Sequence, residues 1–92
     1  MDTSFLLVSV HKEVNGQHWS CWDVTLGGQL YLIERNDHDH SDGEICCVVG
    51  QDGEPEDYAY MGDMRYAEAW LAQHHLRLST EPDPHIMHIR VT

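Results

Sequence analysis

Basic residues are what this chain lacks most: its 92 residues include five Lys and Arg against 16 Asp and Glu, giving a formal net charge of −11. Proteins bind duplex nucleic acid and anionic membranes largely through Lys and Arg, so the composition argues against direct binding to either. A charge of this sign attracts basic surfaces. We therefore expect a basic protein partner.

Signals for export and membrane insertion are missing as well. Asp2 stands where a signal peptide needs basic residues, and the apolar run that follows is too short to cross a bilayer. Three cysteines are present: Cys21, Cys46 and Cys47. Neighbouring side chains on a strand point to opposite faces, so we expect no disulfide between the adjacent pair. These features predict a cytoplasmic protein with reduced cysteines.

Catalytic motifs are absent too. The chain has no Gly-rich phosphate-binding loop, and none of its serines lies in a Gly-x-Ser-x-Gly context. Cys46 and Cys47 lie in a short apolar run, where a buried thiol is inert. Since no positioned nucleophile and base can be identified, we predict that the protein is not an enzyme and has no catalytic residues and no cofactor.

The chain does have enough apolar sequence to fold. Its hydrophobic content is 41%, which exceeds what a disordered acidic tail carries. A length of 92 residues suits one domain, and no internal repeat or linker divides the sequence. We predict a single compact domain that covers residues 1–92.

The strongest local signal is the Asn15-Gly16 pair between two runs rich in β-branched and aromatic residues. Asn-Gly favours a two-residue type I′ turn, because both central residues of that turn need positive φ. The turn predicts a hairpin with the cross-strand pairs Val14–Gln17, Val10–Cys21 and Val8–Asp23. Alternation then gives one face with Leu6, Val8, Val10, Trp19 and Cys21 and another with Phe5, Leu7, Trp22, Val24 and Leu26.

Further strands and one helix are predicted after this hairpin. Gly27-Gly28 indicates a second tight turn into residues 29–35, and residues 44–50 have the length and β-branching of a buried strand. Asp63 is a suitable N-cap for a helix over residues 64–78. The predicted last turn of this helix contains His74, His75 and Arg77. Its predicted packing side consists of Tyr66, Ala67, Trp70, Leu71, His74 and Leu78.

Residues 85–92 alternate apolar and polar side chains, which predicts a closing strand. The predicted fold is therefore α+β. It has an antiparallel sheet of four to five strands, in the order ββββαβ, with one amphipathic helix packed on the sheet.

The acidic residues are clustered. Nine of the 16 Asp and Glu lie in residues 36–63, which contain no Lys or Arg. We interpret this stretch as two acidic loops on either side of a buried strand, residues 45–49, and as the candidate partner-binding site. The candidate residues are Asp37, Asp39, Asp42, Glu44, Asp52, Glu54, Glu56, Asp57 and Asp63, with Tyr58 and Tyr60 as aromatic contacts. Alternatively, the charge only keeps a small domain soluble.

His38 and His40 raise the alternative of a metal site in the same stretch. A calcium loop of the EF-hand type needs Gly at its sixth position and Glu at its twelfth. Counted from Asp37, those positions hold Asp42 and Val48. Zinc sites use three or four ligands at defined spacings, and no second ligand pair accompanies the two histidines. We assign no metal ligands and retain a metal-binding domain as an alternative.

In size, acidity and lack of catalytic motifs, the chain resembles the small acidic α+β inhibitors that phages and mobile elements encode, including anti-CRISPR proteins and DNA mimics. The resemblance implies a non-enzymatic viral inhibitor that acts in the host cytoplasm. Such a protein binds a basic nucleic-acid-handling host protein through carboxylates that stand in for phosphates. A small homodimeric adaptor module is a further alternative.

Overall fold

The computed structural model describes residues 2–47 and 64–91. Its elements are the strands β1 (Ser4–Val14), β2 (Gln17–Leu26), β3 (Gln29–Asn36) and β4 (Gly43–Cys47), the helix α1 (Met64–Gln73) and the strand β5 (Leu76–Val91). The α+β class, the order of the elements and the five strands are confirmed. Residues 48–50, which were predicted to continue the fourth strand, lie outside the described part of the chain.

Both predicted tight turns are present. Asn15 and Gly16 have φ of 51° and 81°, as a type I′ turn requires. The register from Val14–Gln17 to Val10–Cys21 is the predicted one. Gly27 and Gly28 also have positive φ, 58° and 79°, and join β2 to β3. Turn chemistry therefore determined the start of the sheet.

The sheet order is β4-β3-β2-β1-β5. Three of the four strand pairs are antiparallel, and β1 with β5 is parallel. The sheet is therefore mixed rather than wholly antiparallel as predicted. Tight turns join only antiparallel neighbours, whereas a connection that contains a helix, such as the one before β5, permits parallel pairing.

The two faces of the sheet are covered differently. α1 packs on the face that carries Trp22, Ile33 and Ile45, which we call the covered face. The buried core there consists of Val8, Trp22, Ile33, Ile45, Met64, Ala67 and Leu71. The other side of the sheet, which carries Val10 and Cys21, is the open face, and no helix of residues 2–47 or 64–91 lies on it.

β1 is irregular in its middle. Its register with β5 shifts on both sides of Val8. The ladder with β2 ends at Val10–Cys21 and does not reach the predicted pair Val8–Asp23. An irregularity of this kind reverses the alternation of side chains along a strand.

The reversal corrects the predicted faces of β1. Leu6 and Val8 pack in the core with Trp22, although alternation through Val10 would put them on the other face. Phe5 and Leu7, predicted to share a face with Trp22, are 62% and 39% exposed. The prediction was wrong for the first half of β1 because it assumed an unbroken strand.

Gly43, the first residue of β4, allows α1 to approach the sheet closely. A Cβ at this position would overlap the backbone carbonyl oxygen of Glu34 in β3 and would lie 2.6 Å from Cγ of Met64. Met64 is completely buried. The absence of a side chain at Gly43 therefore makes room for the first residue of the helix.

The helix is shorter than predicted. α1 ends at Gln73, and His75 has a left-handed φ of 59°, which terminates a helix. β5 begins directly afterwards at Leu76. The assignment of His74, His75 and Arg77 to the last helical turn was wrong, because the chain turns there to pair with β1.

The buried side of α1 is also rotated from the predicted one. Its buried residues are Met64, Ala67 and Leu71, with spacings of three and seven residues that fit one helical side. Tyr66 is 72% exposed, so its predicted packing on the sheet was wrong. Trp70 is half-buried and lies 4.8 Å from Tyr31, measured between ring centroids.

β5 is longer than the predicted closing strand and is irregular. Its pairs with β1 run from Leu6–Leu78 through Val8–Pro82 to Val10–Met87. Steps of two residues in β1 therefore correspond to four and then five residues in β5. This stretch of β5 contains Pro82 and Pro84, and an edge strand tolerates proline because one side of its backbone needs no partner.

Among the residues that the structure describes, no helix has the length and hydrophobicity required to cross a membrane.

Candidate functional site

The described part of the candidate site is the loop between β3 and β4, residues 37–42, which we call the acidic loop. Its backbone is closed by hydrogen bonds. The amide of Asn36 donates to the carbonyl of Asp42 at 2.8 Å, and the amide of Asp42 donates to the carbonyl of Asp39 at 2.9 Å. The amide of Asp37 donates to the carbonyl of His18 at 2.9 Å, which attaches the loop to β2.

Asn36 organises the side chains of the loop. It is 4% exposed, and its Oδ1 accepts a hydrogen bond from the amide of His38 at 2.8 Å. Its Nδ2 donates to Gln17 Oε1 at 3.2 Å and more weakly to Asp42 Oδ2 at 3.4 Å. Asn36 was not among the predicted site residues, although an Asn directly after a predicted strand is a known signal for a local side-chain turn.

Two hydroxyl groups hold the other carboxylates. Ser20, buried in β2, donates to Asp37 Oδ1 at 2.7 Å. Ser41 donates to Asp39 Oδ1 through its hydroxyl at 2.6 Å and through its amide at 3.1 Å. The three aspartates are exposed, and the hydrogen bonds hold them in defined positions on the surface.

Three ion pairs of the described residues lie outside the acidic loop. They join Lys12 to Glu34, Arg35 to Glu68 and Arg90 to Glu13. Within the described ranges, Asp37 and Asp42 form no ion pair, and each uses one carboxylate oxygen in a hydrogen bond from a side chain. Since a carboxylate offers about four acceptor positions, both aspartates can still accept hydrogen bonds from Arg or Lys.

Glu44 does not belong to the acidic loop. It lies in β4 opposite Glu34, and its neighbour Ile45 is in the core, so Glu44 is on the open face. Glu34 binds Lys12 there, and this hydrogen bond raises the pKa of Lys12. The structure therefore separates Glu44 from the three aspartates with which the sequence grouped it.

The remaining candidates lie outside residues 2–47 and 64–91. They are Asp52, Glu54, Glu56, Asp57, Tyr58, Tyr60 and Asp63, the last of which was also the predicted N-cap of α1. Their part in partner binding stays a prediction.

The histidines of the loop have few potential co-ligands near them. The ring of His38 lies 5.8 Å from that of His18, between centroids, and His40 is exposed. Among the residues described, no three His, Cys, Asp or Glu side chains are grouped so that they could hold a metal ion. The geometry of this part of the chain therefore adds no support to the metal-binding alternative.

Two cysteines are protonated at neutral pH. Burial, together with the charge of Glu34, raises the pKa of the Cys21 thiol to about 11. Burial also raises the pKa of Cys46 to about 11, with a contribution from Glu44. A thiol without thiolate character is a poor nucleophile.

The sequence matches no protein-family model, and comparisons with curated proteins and with solved structures found no match. Function must therefore be inferred from the contacts, exposure and charge of the residues above.

Proposed function

We propose that the protein is a non-catalytic inhibitor that binds a basic, nucleic-acid-handling protein through the acidic loop and blocks its nucleic-acid site. One observation supports this most directly. Asp37 and Asp42 are held by hydrogen bonds from β2 and β3, are exposed, and form no ion pair within the described residues.

Fixed carboxylates suit this role better than mobile ones. A mobile acidic segment loses conformational entropy when it binds, whereas an ordered loop has lost that entropy on folding. Arg and Lys side chains that bind phosphate oxygens also bind carboxylates, and Arg can bind either group with two parallel hydrogen bonds. The net charge of −11 adds long-range attraction to a basic surface and speeds encounter.

The proposal is tested by capture from a lysate of the source organism, with the full chain immobilised. We expect a basic protein to be retained and then released by added duplex DNA or RNA. Two double variants distinguish binding through the acidic loop from general attraction to a negatively charged protein. The loop variant is Asp37→Asn with Asp42→Asn, and the control is Asp2→Asn with Glu81→Gln. Each lowers the negative charge by two, and all four positions are exposed.

The loop variant should weaken capture about tenfold or more, and the control about twofold or less, because close charge pairs contribute more than distant ones. Asn at position 37 can still accept the hydrogen bond from Ser20, so circular dichroism should show an unchanged fold. Equal capture by both variants would contradict the role of the loop. Retention that nucleic acid does not reverse would contradict the proposed mode of inhibition.

A further inference from the structure

The open face of the sheet contains a groove of about 560 Å³ with an apolar floor. Val10, Cys21, Leu32, Met87 and Ile89 line it. Met87 is 59% exposed and Ile89 is 38% exposed. The solvent-facing side of a sheet usually carries polar residues, so an apolar groove in this position requires another explanation.

Strand register shows how the floor is assembled. Val10 pairs with both Cys21 and Met87, and Cys21 pairs in turn with Glu34, so these side chains form a row across β5, β1, β2 and β3. Neighbouring strands lie about 4.8 Å apart, so four strands give a floor about 14 Å wide. That width accommodates one α-helix or one extended peptide.

The extra residues of β5 form one wall of the groove. Asp83 and His85 line it, and the amide of His85 donates to Asp83 Oδ1 at 2.8 Å. This bond leaves the second oxygen of the Asp83 carboxylate available. The irregular register of β5 therefore places an acidic group beside the apolar floor.

The charge around the groove is negative. Its lining includes Asp23, Glu34 and Asp83, with Lys12 as the basic residue. Lys12 is bound to Glu34, whereas Asp23 and Asp83 form no ion pair with any other described residue. A bound segment must therefore bury apolar side chains and also place positive charge near these two aspartates.

We propose that this groove binds a short amphipathic segment of a partner protein, with apolar side chains on one side and flanking Lys or Arg. The charge argues against a second copy of the chain as the occupant, because its groove would bring the same carboxylates and each chain carries −11. The inference uses no residue of the acidic loop, so it does not depend on the proposed function.

Two peptides test the charge requirement on the full chain. One is a short amphipathic helix of Leu and Lys, and the other has the same pattern with Glu in place of Lys. In amide NMR spectra of the labelled protein, the Lys peptide should shift Val10, Cys21, Leu32 and Met87, and the Glu peptide should cause no shifts. Binding of both peptides alike, or shifts confined to the acidic loop, would overturn the proposal.

Two single variants test the location. Met87→Lys adds positive charge in the groove, and Ala72→Lys adds the same charge on the exposed side of α1. The first should weaken binding of the Lys peptide about tenfold or more and the second about twofold or less, as expected for contact and distant positions. Equal weakening by the two variants would overturn the proposal.

A further variant avoids the apolar floor in case Met87→Lys disturbs the fold. Asp23→Asn with Asp83→Asn should weaken binding of the Lys peptide several-fold and reduce the salt dependence of that binding. Asp37→Asn with Asp42→Asn should leave the peptide-induced shifts of the groove residues unchanged. An effect of the loop variant alone would overturn the inference but not the proposed function. Concentration-dependent shifts of the groove residues without peptide would show self-association and would also overturn it.

Discussion

The covered and open faces of the sheet are built from alternate residues of the same strands, but they have different chemistry. Ile33 is completely buried beneath α1, while its neighbour Leu32 lines the groove on the other side. Close packing of side chains on the covered face stabilises the folded state. The open face combines apolar side chains with the Lys12–Glu34 ion pair, and Met87 and Ile89 on it are exposed to solvent.

The covered face also buries a cation. Arg35 is 7% exposed, its guanidinium carbon lies 4.9 Å from the centroid of the Trp22 ring, and its Nη1 lies 3.6 Å from Glu68 Oε1. Trp22 in turn donates its indole N–H to the carbonyl of Ser79 at 3.0 Å. The covered face therefore buries charge only where an aromatic ring and a carboxylate accompany it.

The largest predicted difference between the faces is at Ile33 and Leu32. Ile33→Ala should lower the free energy of unfolding by about 2 to 5 kcal/mol, because it leaves a cavity under α1. Leu32→Ala should lower it by about 1 kcal/mol, because this side chain is already partly in water. Urea unfolding followed by tryptophan fluorescence measures both values. Similar losses for the two variants would show that the open face is packed as tightly as the covered face.

A smaller effect is expected at the contact between Gly43 and the helix. Gly43→Ala should lower the free energy of unfolding by about 1 to 3 kcal/mol, because the added Cβ overlaps both the carbonyl oxygen of Glu34 and the side chain of Met64. Gly43→Ala combined with Met64→Ala should lose less stability than the sum of the single changes, since the shorter side chain removes the overlap with Met64, while the overlap with the Glu34 carbonyl remains. Additive losses in urea unfolding would argue against close packing at this point.

A third effect is on the open face and depends on pH. Burial raises the pKa of Cys21 from 9.0 to about 11, so the folded protein holds this proton more tightly than the unfolded chain does. The stability that this difference in pKa gives the folded state is fully present below pH 9 and is lost as the pH rises to 11. The loss amounts to roughly 2 kcal/mol.

Cys21→Ala should therefore lose less stability than the natural chain between pH 9 and pH 11. Cys46 and Lys12 also have raised pKa values and act in the same direction, but both are present in the two proteins compared. Thermal unfolding across this pH range measures the difference. If stability falls equally with pH in the two proteins, Cys21 is exposed in solution, which would contradict the structure.

Most of the fold follows from local signals. Asn15-Gly16 and Gly27-Gly28 predict the turns and the antiparallel register, because positive φ at these residues admits few alternatives. The errors involve contacts between distant parts of the chain. Tyr66 is aromatic and was expected to pack on the sheet, but it is exposed, because α1 packs through Met64, Ala67 and Leu71.

The candidate site shows the same division. The sequence predicts where the acidic residues cluster, because charge can be counted without a structure. It does not predict that Ser20 and Asn36 hold Asp37 and Asp42, because Ser20 belongs to a different strand. Nor does it predict the groove, whose wall depends on the irregular pairing of β5 with β1.

By itself, the sequence determined the acidity of this protein, its two tight turns and its alternation of strands and helix, since each follows from residues close together in the chain. Only the tertiary structure decided that β5 runs parallel to β1, that β1 reverses its faces near Val8, and which face of the sheet α1 covers. These features depend on the mutual fit of α1, Gly43 and β5, which lie far apart in the chain and meet only when the sheet is complete.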